Sequence, residues 1–163
     1  MLSIRPATEK DMASLREMIH EFAQFEKLPA VVTAADLVRD GFGANPKFRA
    51  LFAEWDRKLA GYAFFFGYYS TFEGQAALFL EDIYVRPEFR GKGIGKALMA
   101  RVAGIAKQEN CFGMRWEVLD WNLPAIDFYR NMGATFLHAW NNVVLKGEAF
   151  EKLASERNLE ESQ

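Results

Sequence analysis

The sequence predicts one α/β or α+β domain built around a single mixed sheet. Strand-like and helix-like segments alternate along the chain, and a glycine-rich turn joins an apolar, β-prone segment directly to a helical pattern. The length points the same way, since 163 residues suffice for one substantial core and contain no repeat or linker. We therefore expect one domain over residues 1–155, followed by a polar tail at 156–163 that frays.

Residues 2–5 are predicted to form the first strand, and two helices follow it. Thr8 is expected to start the first helix. Thr33, with Asp36 three residues later, is typical of the cap of a second, shorter helix. Apolar residues recur at helical spacing after Thr8 and predict the buried stripe of the first helix. They are Met12, Leu15, Ile19 and Phe22.

The middle of the chain is predicted to be a β-hairpin followed by a further strand. The segments Phe48–Trp55 and Leu59–Tyr69 are apolar and β-prone, and Asp56–Lys58 is expected to turn between them. The aromatic run Tyr62–Tyr69 favours central core or a subunit interface over a ligand-binding cluster. The apolar segment Ala77–Val85 is predicted to be the next strand.

The last third is predicted to contain two longer helices, three strands and a final short helix. Apolar spacing over residues 94–106 predicts the helix that follows the glycine-rich turn. We expect a strand near Met114–Leu119 and a helix near Pro124–Met132 that Gly133 closes. Two strands are expected around Thr135–Lys146, ahead of the last short helix.

Composition excludes several classes of function. A formal charge of −2 gives no reason to expect nucleic acid or an anionic membrane as a partner. No apolar run reaches the ~20 residues of a membrane span, and Met1–Arg5 does not begin a signal peptide, so a cytoplasmic protein is expected. Cys111 is the one cysteine, which excludes an internal disulfide, and with only His20 and His138 we expect no metal site.

The turn Arg90–Gly95 stands where a strand gives way to a helix, so its backbone N–H groups and the positive helix end can hold an anion. A side chain at Gly93 or Gly95 would keep a phosphate away from those amides. The Walker A pattern is excluded because Lys96 is followed by Ala97, without the hydroxyl that binds magnesium, and the dinucleotide spacing of glycines is absent. The remaining pattern, Arg-x-x-Gly-x-Gly, predicts a phosphate cradle, although such a turn can also be purely structural.

Together with other motifs, this pattern resembles the GNAT superfamily of N-acetyltransferases over roughly residues 2–155. The diamine acetyltransferase branch is the most similar, and within it the thialysine N-epsilon-acetyltransferases. The resemblance implies a mostly antiparallel mixed sheet flanked by helices, a bulged strand splayed from its neighbour to hold the cofactor, and a homodimer. Its motifs are Arg5-Pro6-Ala7, Phe25-Glu26-Lys27-Leu28, Asp40-Gly41-Phe42-Gly43, Leu80–Val85, Asp120-Trp121-Asn122, Phe128-Tyr129 and Lys146-Gly147-Glu148-Ala149.

Acetyl-CoA is the cofactor that the resemblance implies, bound by the splayed strand, the glycine-rich turn and the start of a later helix. The backbone N–H groups of Ile83 and Val85 would donate to the thioester carbonyl, and Asn122 would lie beside the pantetheine arm. The implied cofactor-binding residues are Ile83, Tyr84, Val85, Arg90, Gly91, Lys92, Gly93, Ile94, Gly95, Lys96, Asn122, Pro124 and Ala125.

Acetylation of an amine requires a proton acceptor, because an amine of pKa near ~10.4 is almost wholly protonated at neutral pH. Glu81 is the candidate acceptor, directly or through a water, since it interrupts an apolar strand immediately before the cradle, where an unpaired carboxylate is costly. Strand alternation predicts that Glu81 and Asp82 lie on opposite faces and have separate tasks. The structural alternative is that Glu81 forms a salt bridge at the strand end.

Tyr129 is the candidate acid, because a phenol of pKa near ~10 can protonate a departing thiolate. Asn122 and Pro124 mark the start of its helix, and the resemblance places Tyr129 beside the sulfur of CoA. The alternative for Tyr129 is core packing. Cys111 lacks a partnered histidine in the sequence, so direct transfer in a ternary complex is favoured over a ping-pong route.

The acceptor is expected to be a short basic amine, such as thialysine, lysine or a small diamine. Carboxylates could form an acidic pocket for it, with ordinary surface carboxylates as the alternative; they are Glu26, Glu81, Asp82, Glu117 and Asp120. Polyamine-acetylating relatives carry acidic residues where this chain has Thr71 and His138, which weakens the attraction for a long polycation. The resemblance implies that the substrate site is lined by Phe25, Glu26, Glu81, Arg115, Trp116 and Glu117.

Three other functions stay open on the sequence alone. A sensor that binds acetyl-CoA without turnover would be expected to lack Glu81 or Tyr129, and both are present. A subunit whose main role is association would use the aromatic hairpin as its interface. An acetyltransferase acting on a polyamine, a protein lysine or an antibiotic amine is the third alternative.

Overall fold

The computed structural model describes residues 1–156. These residues form two compact units, Met1–Glu117 and the chain from Val118 onward. The expectation of one domain over residues 1–155 stays a prediction. Residues 157–163, which make up most of the tail predicted to fray, lie outside the described residues.

Within Met1–Glu117 the chain forms one five-stranded sheet with three α-helices. The strands are β1 (Leu2–Pro6), β2 (Arg49–Trp55), β3 (Lys58–Ser70), β4 (Gln75–Val85) and β5 (Met114–Trp116). The helices are α1 (Met12–Glu26), α2 (Ala34–Phe42) and α3 (Ile94–Gln108). The strands lie in chain order, antiparallel except for the parallel pair β4–β5, which α3 connects. The mixed, mostly antiparallel sheet is therefore confirmed.

Reciprocal caps start the first two helices where the sequence predicted. The Thr33 hydroxyl accepts a hydrogen bond from the Asp36 N–H at 3.1 Å, and the Asp36 carboxylate accepts one from the Thr33 N–H at 3.0 Å. Thr8 and Asp11 form the corresponding pair ahead of α1, with one turn of 3₁₀ helix between. These bonds satisfy backbone N–H groups that a helix start leaves without partners.

The β2–β3 hairpin has a tighter turn than predicted. Asp56 and Arg57 both have positive φ, at 49° and 66°, which suits a two-residue turn that matches the twist of the strands. Lys58 already pairs with Trp55, so it belongs to β3 rather than to the turn.

The sheet carries a helix layer on each face. The cluster of buried side chains on one face joins α1 and α2 to β2, β3 and β4, and includes Met12, Leu15, Phe52, Tyr62 and Tyr84. α3 packs against β3 and β4 with its own buried stripe, which contributes to the second face. The aromatic run contributes to the core mainly at its start, since Tyr62 and Phe65 are buried whereas Tyr69 at its end is exposed.

The second unit contains α4 (Leu123–Asn131) and α5 (Glu148–Ser155). Gly133, with φ 83°, follows α4 as predicted. The two strands predicted around Thr135–Lys146 are wrong, because the described residues from 118 to 156 contain no strand. The β-prone side chains of Val143 and Val144 are exposed, and an apolar segment without a partner strand has no ladder to satisfy its backbone.

The described residues lack two further features. No helix among residues 1–156 is both long and apolar enough to cross a bilayer. Nowhere in this part of the chain do three or more His, Cys, Asp or Glu side chains come together as potential metal ligands.

Candidate active site

β4 contains a bulge at Glu81. Leu80 pairs with Phe65 and Asp82 pairs with the preceding residue, Phe64, so Glu81 is the residue that has no counterpart on β3. The pairing of β4 with β5 also ends here, because the last pair is Leu80 with Trp116. The register thus confirms the bulge that the resemblance implied. The predicted strand over Met114–Leu119 is shorter than expected and leaves Glu117 beyond β5.

Past the bulge, two backbone N–H groups of β4 point away from β3. The Arg86 N–H donates to the Ala60 carbonyl at 2.9 Å, so Arg86 faces β3. Because backbone polar groups alternate in direction along a strand, the N–H groups of Ile83 and Val85 face the other edge. Within residues 1–117 no strand pairs with that edge beyond Trp116. Two parallel donors on an unpaired edge can stabilise an oxygen that becomes negatively charged.

Glu81 and Asp82 have different surroundings. Glu81 is exposed, and partial burial raises its pKa, with a further contribution from the Glu117 carboxylate. Asp82 is more enclosed and accepts a hydrogen bond from the Tyr62 hydroxyl at 3.0 Å. Burial raises the pKa of Asp82 to about 6, the Tyr62 bond opposes that rise, and the charges of Glu81 and Glu26 add to it. The predicted separation of Glu81 and Asp82 onto opposite faces stays a prediction, because Glu81 is the bulged residue and has no partner on β3 that fixes its face.

The end of α1 contributes an aromatic ring and a third carboxylate. Glu26 is partly buried, which raises its pKa, and Lys27 ends the helix in the left-handed region at φ 59°. The Phe25 ring lies 4.9 Å from the Arg90 guanidinium carbon. Phe25, Tyr84 and Arg90 line a cleft of about 520 Å³ between the end of α1 and the segment after β4.

The glycine-rich turn has the geometry of an anion cradle. Gly91 and Gly93 have φ of 75° and 76°, a region that favours glycine, and nothing lies within 4 Å of the position that a Cβ would take on either. Gly93 is the N-cap of α3, and no side chain caps that helix. The amides of the first turn, beginning at Ile94, are therefore available to a ligand, and the positive helix end favours an anion. A diphosphate fits this donor set.

Two cations flank the cradle. The Arg90 Nε donates to the Val85 carbonyl at 2.9 Å, which ties the turn to the end of β4. The Lys92 ammonium lies 5.1 Å from the ring centre of Trp55 and 5.3 Å from that of Phe89. Both side chains are exposed and can contribute positive charge beside a bound phosphate.

Three residues of the predicted site, Asn122, Pro124 and Tyr129, lie at the start of α4 or within it. The Asn122 side-chain oxygen accepts from the Ala125 N–H at 3.3 Å and Pro124 lies in the first turn, which confirms the predicted helix start. The cap occupies that oxygen, so the Asn122 amide N–H₂ is the group left to donate to a ligand. Tyr129 is 6% exposed, and its ring centre lies 5.4 Å from that of Phe128.

The remaining predicted substrate residues lie on or after β5. Arg115 is exposed, Trp116 is partly buried, and Glu117 is exposed beyond the strand. In the first unit the charges of Glu26 and Glu81 act on Asp82, and the charge of Glu117 acts on Glu81.

Sequence reasoning missed the bond between Tyr62 and Asp82. Tyr62 belongs to the aromatic run that the sequence predicts as core or subunit interface, and it is buried in the core with 0% exposure. A tyrosine within a run of phenylalanines was the available indication, since a buried phenol needs a partner for its hydroxyl. The identity of that partner depends on the bulge, which moves Asp82 onto the face that Tyr62 occupies.

Comparison with known sequences gives a consistent picture. A protein-family model described as the acetyltransferase (GNAT) family matches residues 12–134. A thialysine N-epsilon-acetyltransferase of Sus scrofa is 40% identical over 164 residues, which cover 93% of this chain and 96% of that protein. Its counterpart in Caenorhabditis elegans is 35% identical over 87% of this chain and 90% of that protein. A human spermidine/spermine N(1)-acetyltransferase-like protein is 36% identical over 80% of this chain and 20% of its own length.

Solved structures share the fold at low sequence identity. An integron cassette protein from the mobile metagenome of V. cholerae superposes with a TM-score of 0.80 at 23% identity, covering 94% of this chain and 98% of that one. A ribosomal-protein-alanine N-acetyltransferase from Brucella melitensis biovar Abortus gives 0.74 at 23% identity, covering 90% and 99%. These likenesses concern the fold alone.

Proposed function

The chain belongs to the acetyltransferase (GNAT) family, and on that premise we propose that it transfers acetyl from acetyl-CoA to the primary amine of a small basic substrate. The proposal specifies thialysine, a lysine-like amine or a short diamine, attacked directly in a ternary complex. The observation that carries it is the β4 bulge. One extra residue, Glu81, lies beside an unpaired strand edge and ahead of an anion cradle.

The cofactor would be held by groups of this chain that suit its parts. The amides of Gly91–Lys96, with Arg90 and Lys92, would bind the diphosphate. The amide N–H₂ of Asn122 would donate to the pantetheine arm. When bound, acetyl-CoA supplies the acetyl group as a thioester.

Glu81 would prepare the amine for attack. A lysine-like amine carries a proton at neutral pH, and a carboxylate at the open end of β4 can accept that proton directly or through a water. The raised pKa of Glu81 makes it a stronger base than an ordinary carboxylate. As the amine attacks, the N–H groups of Ile83 and Val85 would stabilise the charge that develops on the carbonyl oxygen.

Tyr129 would return a proton to the departing thiolate. Tyr129→Phe should lower kcat by roughly 10²–10⁴-fold, because a positioned acid contributes about that much. The affinity for acetyl-CoA should hardly change, since the phenol acts on a charge that forms during reaction. Steady-state kinetics with isothermal titration of acetyl-CoA checks both points, and an unchanged kcat would assign Tyr129 to core packing.

Three carboxylates support the choice of a cationic acceptor. The charges of Glu26 and Glu81 both act on Asp82, and among residues 1–156 none of the three pairs with an arginine or lysine. A substrate ammonium would supply the opposite charge. The similarity to thialysine acetyltransferases over nearly the whole chain favours a short acceptor. The shorter match to a spermidine/spermine acetyltransferase-like protein makes a polyamine the second candidate.

A panel of amines tests the proposal. Purified protein would be supplied with acetyl-CoA and thialysine, lysine, putrescine, spermidine, an aminoglycoside or a lysine peptide. Thiol release would be followed and the acetylated product confirmed by mass. We expect the highest kcat/KM with a short basic amine. A much higher kcat/KM with spermidine than with any short amine would favour a polyamine as the acceptor. Binding of acetyl-CoA without turnover of any amine would point to a sensor.

We also propose that the chain is a homodimer. Exposed apolar side chains of the second unit, including Val143 and Val144, favour burial against a partner. Sedimentation equilibrium checks this proposal, and a monomer at micromolar concentration would contradict it.

A further inference from the structure

One hydrogen bond joins the core of the first unit to its carboxylates. The Tyr62 hydroxyl donates to Asp82 Oδ2 at 3.0 Å across β3 and β4. Tyr62 is 0% exposed and belongs to the same buried cluster as Met12, Leu15 and Phe52. A hydroxyl in such apolar surroundings is costly unless it is bonded, and Asp82 is the acceptor that it has.

Packing alone gives no reason for that hydroxyl. The Tyr62 ring lies 6.2 Å from the Tyr84 ring and fills its place with apolar surface. A phenylalanine would provide the same ring without a polar atom to satisfy. The hydroxyl therefore has its effect on Asp82, where it fixes one carboxylate oxygen and supplies a donor that stabilises the charged form.

Asp82 needs such a donor because the groups that face it are acidic or phenolic. Glu81 from its own strand and Glu26 from α1 repel its charge, and Tyr84 lies on the same strand beyond them. No ion pair among residues 1–156 supplies Asp82 with a cation. Burial and these carboxylates raise the pKa of Asp82, and the Tyr62 hydrogen bond is the interaction that lowers it.

We propose that Tyr62 is a positioning residue for amine recognition, holding the Asp82 carboxylate charged and oriented toward the cationic acceptor. This inference rests on the proposed function and adds a specificity determinant buried in the core. Tyr62 itself touches no substrate. The Tyr62 hydroxyl keeps Asp82 ionised at lower pH than it would be without a hydrogen-bond donor. Amine binding therefore extends to lower pH.

Tyr62→Phe tests the proposal through a pH profile. We expect the acidic limb of kcat/KM to move upward by about one pH unit, because losing a hydrogen bond to a charged group makes Asp82 easier to protonate. The KM for the amine should rise roughly tenfold at pH 6, whereas kcat and the KM for acetyl-CoA change much less. Tyr69→Phe, an exposed change on the same strand, is the matched control and should leave the profile in place.

A double-mutant cycle separates an effect through Asp82 from a general packing defect. Asp82→Asn keeps an acceptor for Tyr62 but cannot ionise, so Tyr62→Phe should add nothing to KM or to the pH profile in that background. Equal effects of Tyr62→Phe with and without Asp82 would overturn the proposal. So would a wild-type pH profile in a folded Tyr62→Phe variant.

Titration of the Asp82 carboxyl by carbon NMR decides the matter without turnover. A higher pKa for Asp82 in Tyr62→Phe than in the wild type is expected, and an unchanged or lower one would overturn the inference. If the wild type acetylated none of the amines, the proposed function would fail, while this titration would still report on Tyr62. Should Tyr62→Phe not fold, 3-fluorotyrosine at position 62 strengthens the donor and must shift the Asp82 titration downward.

Discussion

The two halves of β4 differ in almost every respect although they belong to one continuous strand. From Gln75 to Leu80 the strand pairs with β3 on one edge, pairs in part with β5 on the other, and buries apolar side chains such as Leu78. From Glu81 to Val85 it has a bulge, an edge without a strand partner in residues 1–117, and two adjacent carboxylates. The first half builds the sheet, and the second carries the groups that we propose for catalysis.

The difference shows how one strand can supply both rigidity and chemistry. A strand paired on both edges has no backbone donors to spare, so it cannot bind a ligand through its N–H groups. Where the second partner ends, the N–H groups of Ile83 and Val85 become available while β3 still holds the strand in place. The paired half thus fixes the position of groups in the unpaired half, which is what a preorganised site requires.

The largest expected effect comes from Glu81→Gln in the second half. If Glu81 accepts the amine proton, kcat should fall by roughly 10²–10⁴-fold, and the pH–rate profile should move upward because attack then needs amine deprotonated by solvent. The free energy of unfolding should stay within about 0.5 kcal/mol of the wild type, since the side chain is exposed. Kinetics across pH with urea denaturation measures both. An unmoved profile would mean that another group or bulk water takes the proton.

Leu78→Ala applies the converse change to the first half. Leu78 is 1% exposed, so the loss of its side chain should lower the free energy of unfolding by about 3 kcal/mol through lost burial and a cavity. The pH dependence of kcat/KM in the folded variant should match the wild type. Urea denaturation and the pH profile together test this expectation. A small stability loss with a shifted profile would show that the two halves are not separable.

Asp82→Asn should produce a smaller effect that depends on pH. The folded pKa of Asp82, about 6, lies above its ordinary value of 3.8, so the native state binds the proton more tightly than the unfolded state. The wild type therefore loses stability as pH rises from about 4 to about 6, by roughly 2 kcal/mol, and the variant does not. Unfolding free energies at pH 4 and pH 8 measure the difference. A constant gap between the two proteins at both pH values would contradict the raised pKa.

Much of the fold was predictable because it depends on local chemistry. Thr33 and Asp36 specify a helix start within four residues, and the apolar spacing after Thr8 specifies a buried stripe. The antiparallel order of the sheet followed from the family resemblance. Val143 and Val144 misled for the opposite reason, because a β-prone segment forms a strand only where a partner is present.

The backbone geometry of the glycine-rich turn was more predictable than the arrangement of the carboxylates. Gly93 follows from its sequence position, because a turn before a helix limits the residues that fit there. The face that Asp82 occupies did not, because strand alternation holds only in a regular ladder, and the extra residue at Glu81 puts Asp82 on the face opposite to Leu80. The hydrogen bond between Tyr62 and Asp82 depends on that same register, because it joins two strands. The residues next to Tyr62 in the sequence therefore could not predict it.

The bulge also limits how such a site can arise and be lost. Glu81 is a residue in excess of the β3 ladder, so a regular strand cannot acquire the same arrangement by substitution alone; it needs a one-codon insertion. Deletion of that codon would remove the Glu81 carboxylate and restore an even ladder in which Asp82 still pairs with Phe64 and stays on the face of Tyr62. The bulge and its carboxylate are therefore inherited or lost together. Substitutions that change the preferred amine would then accumulate around a register that stays fixed.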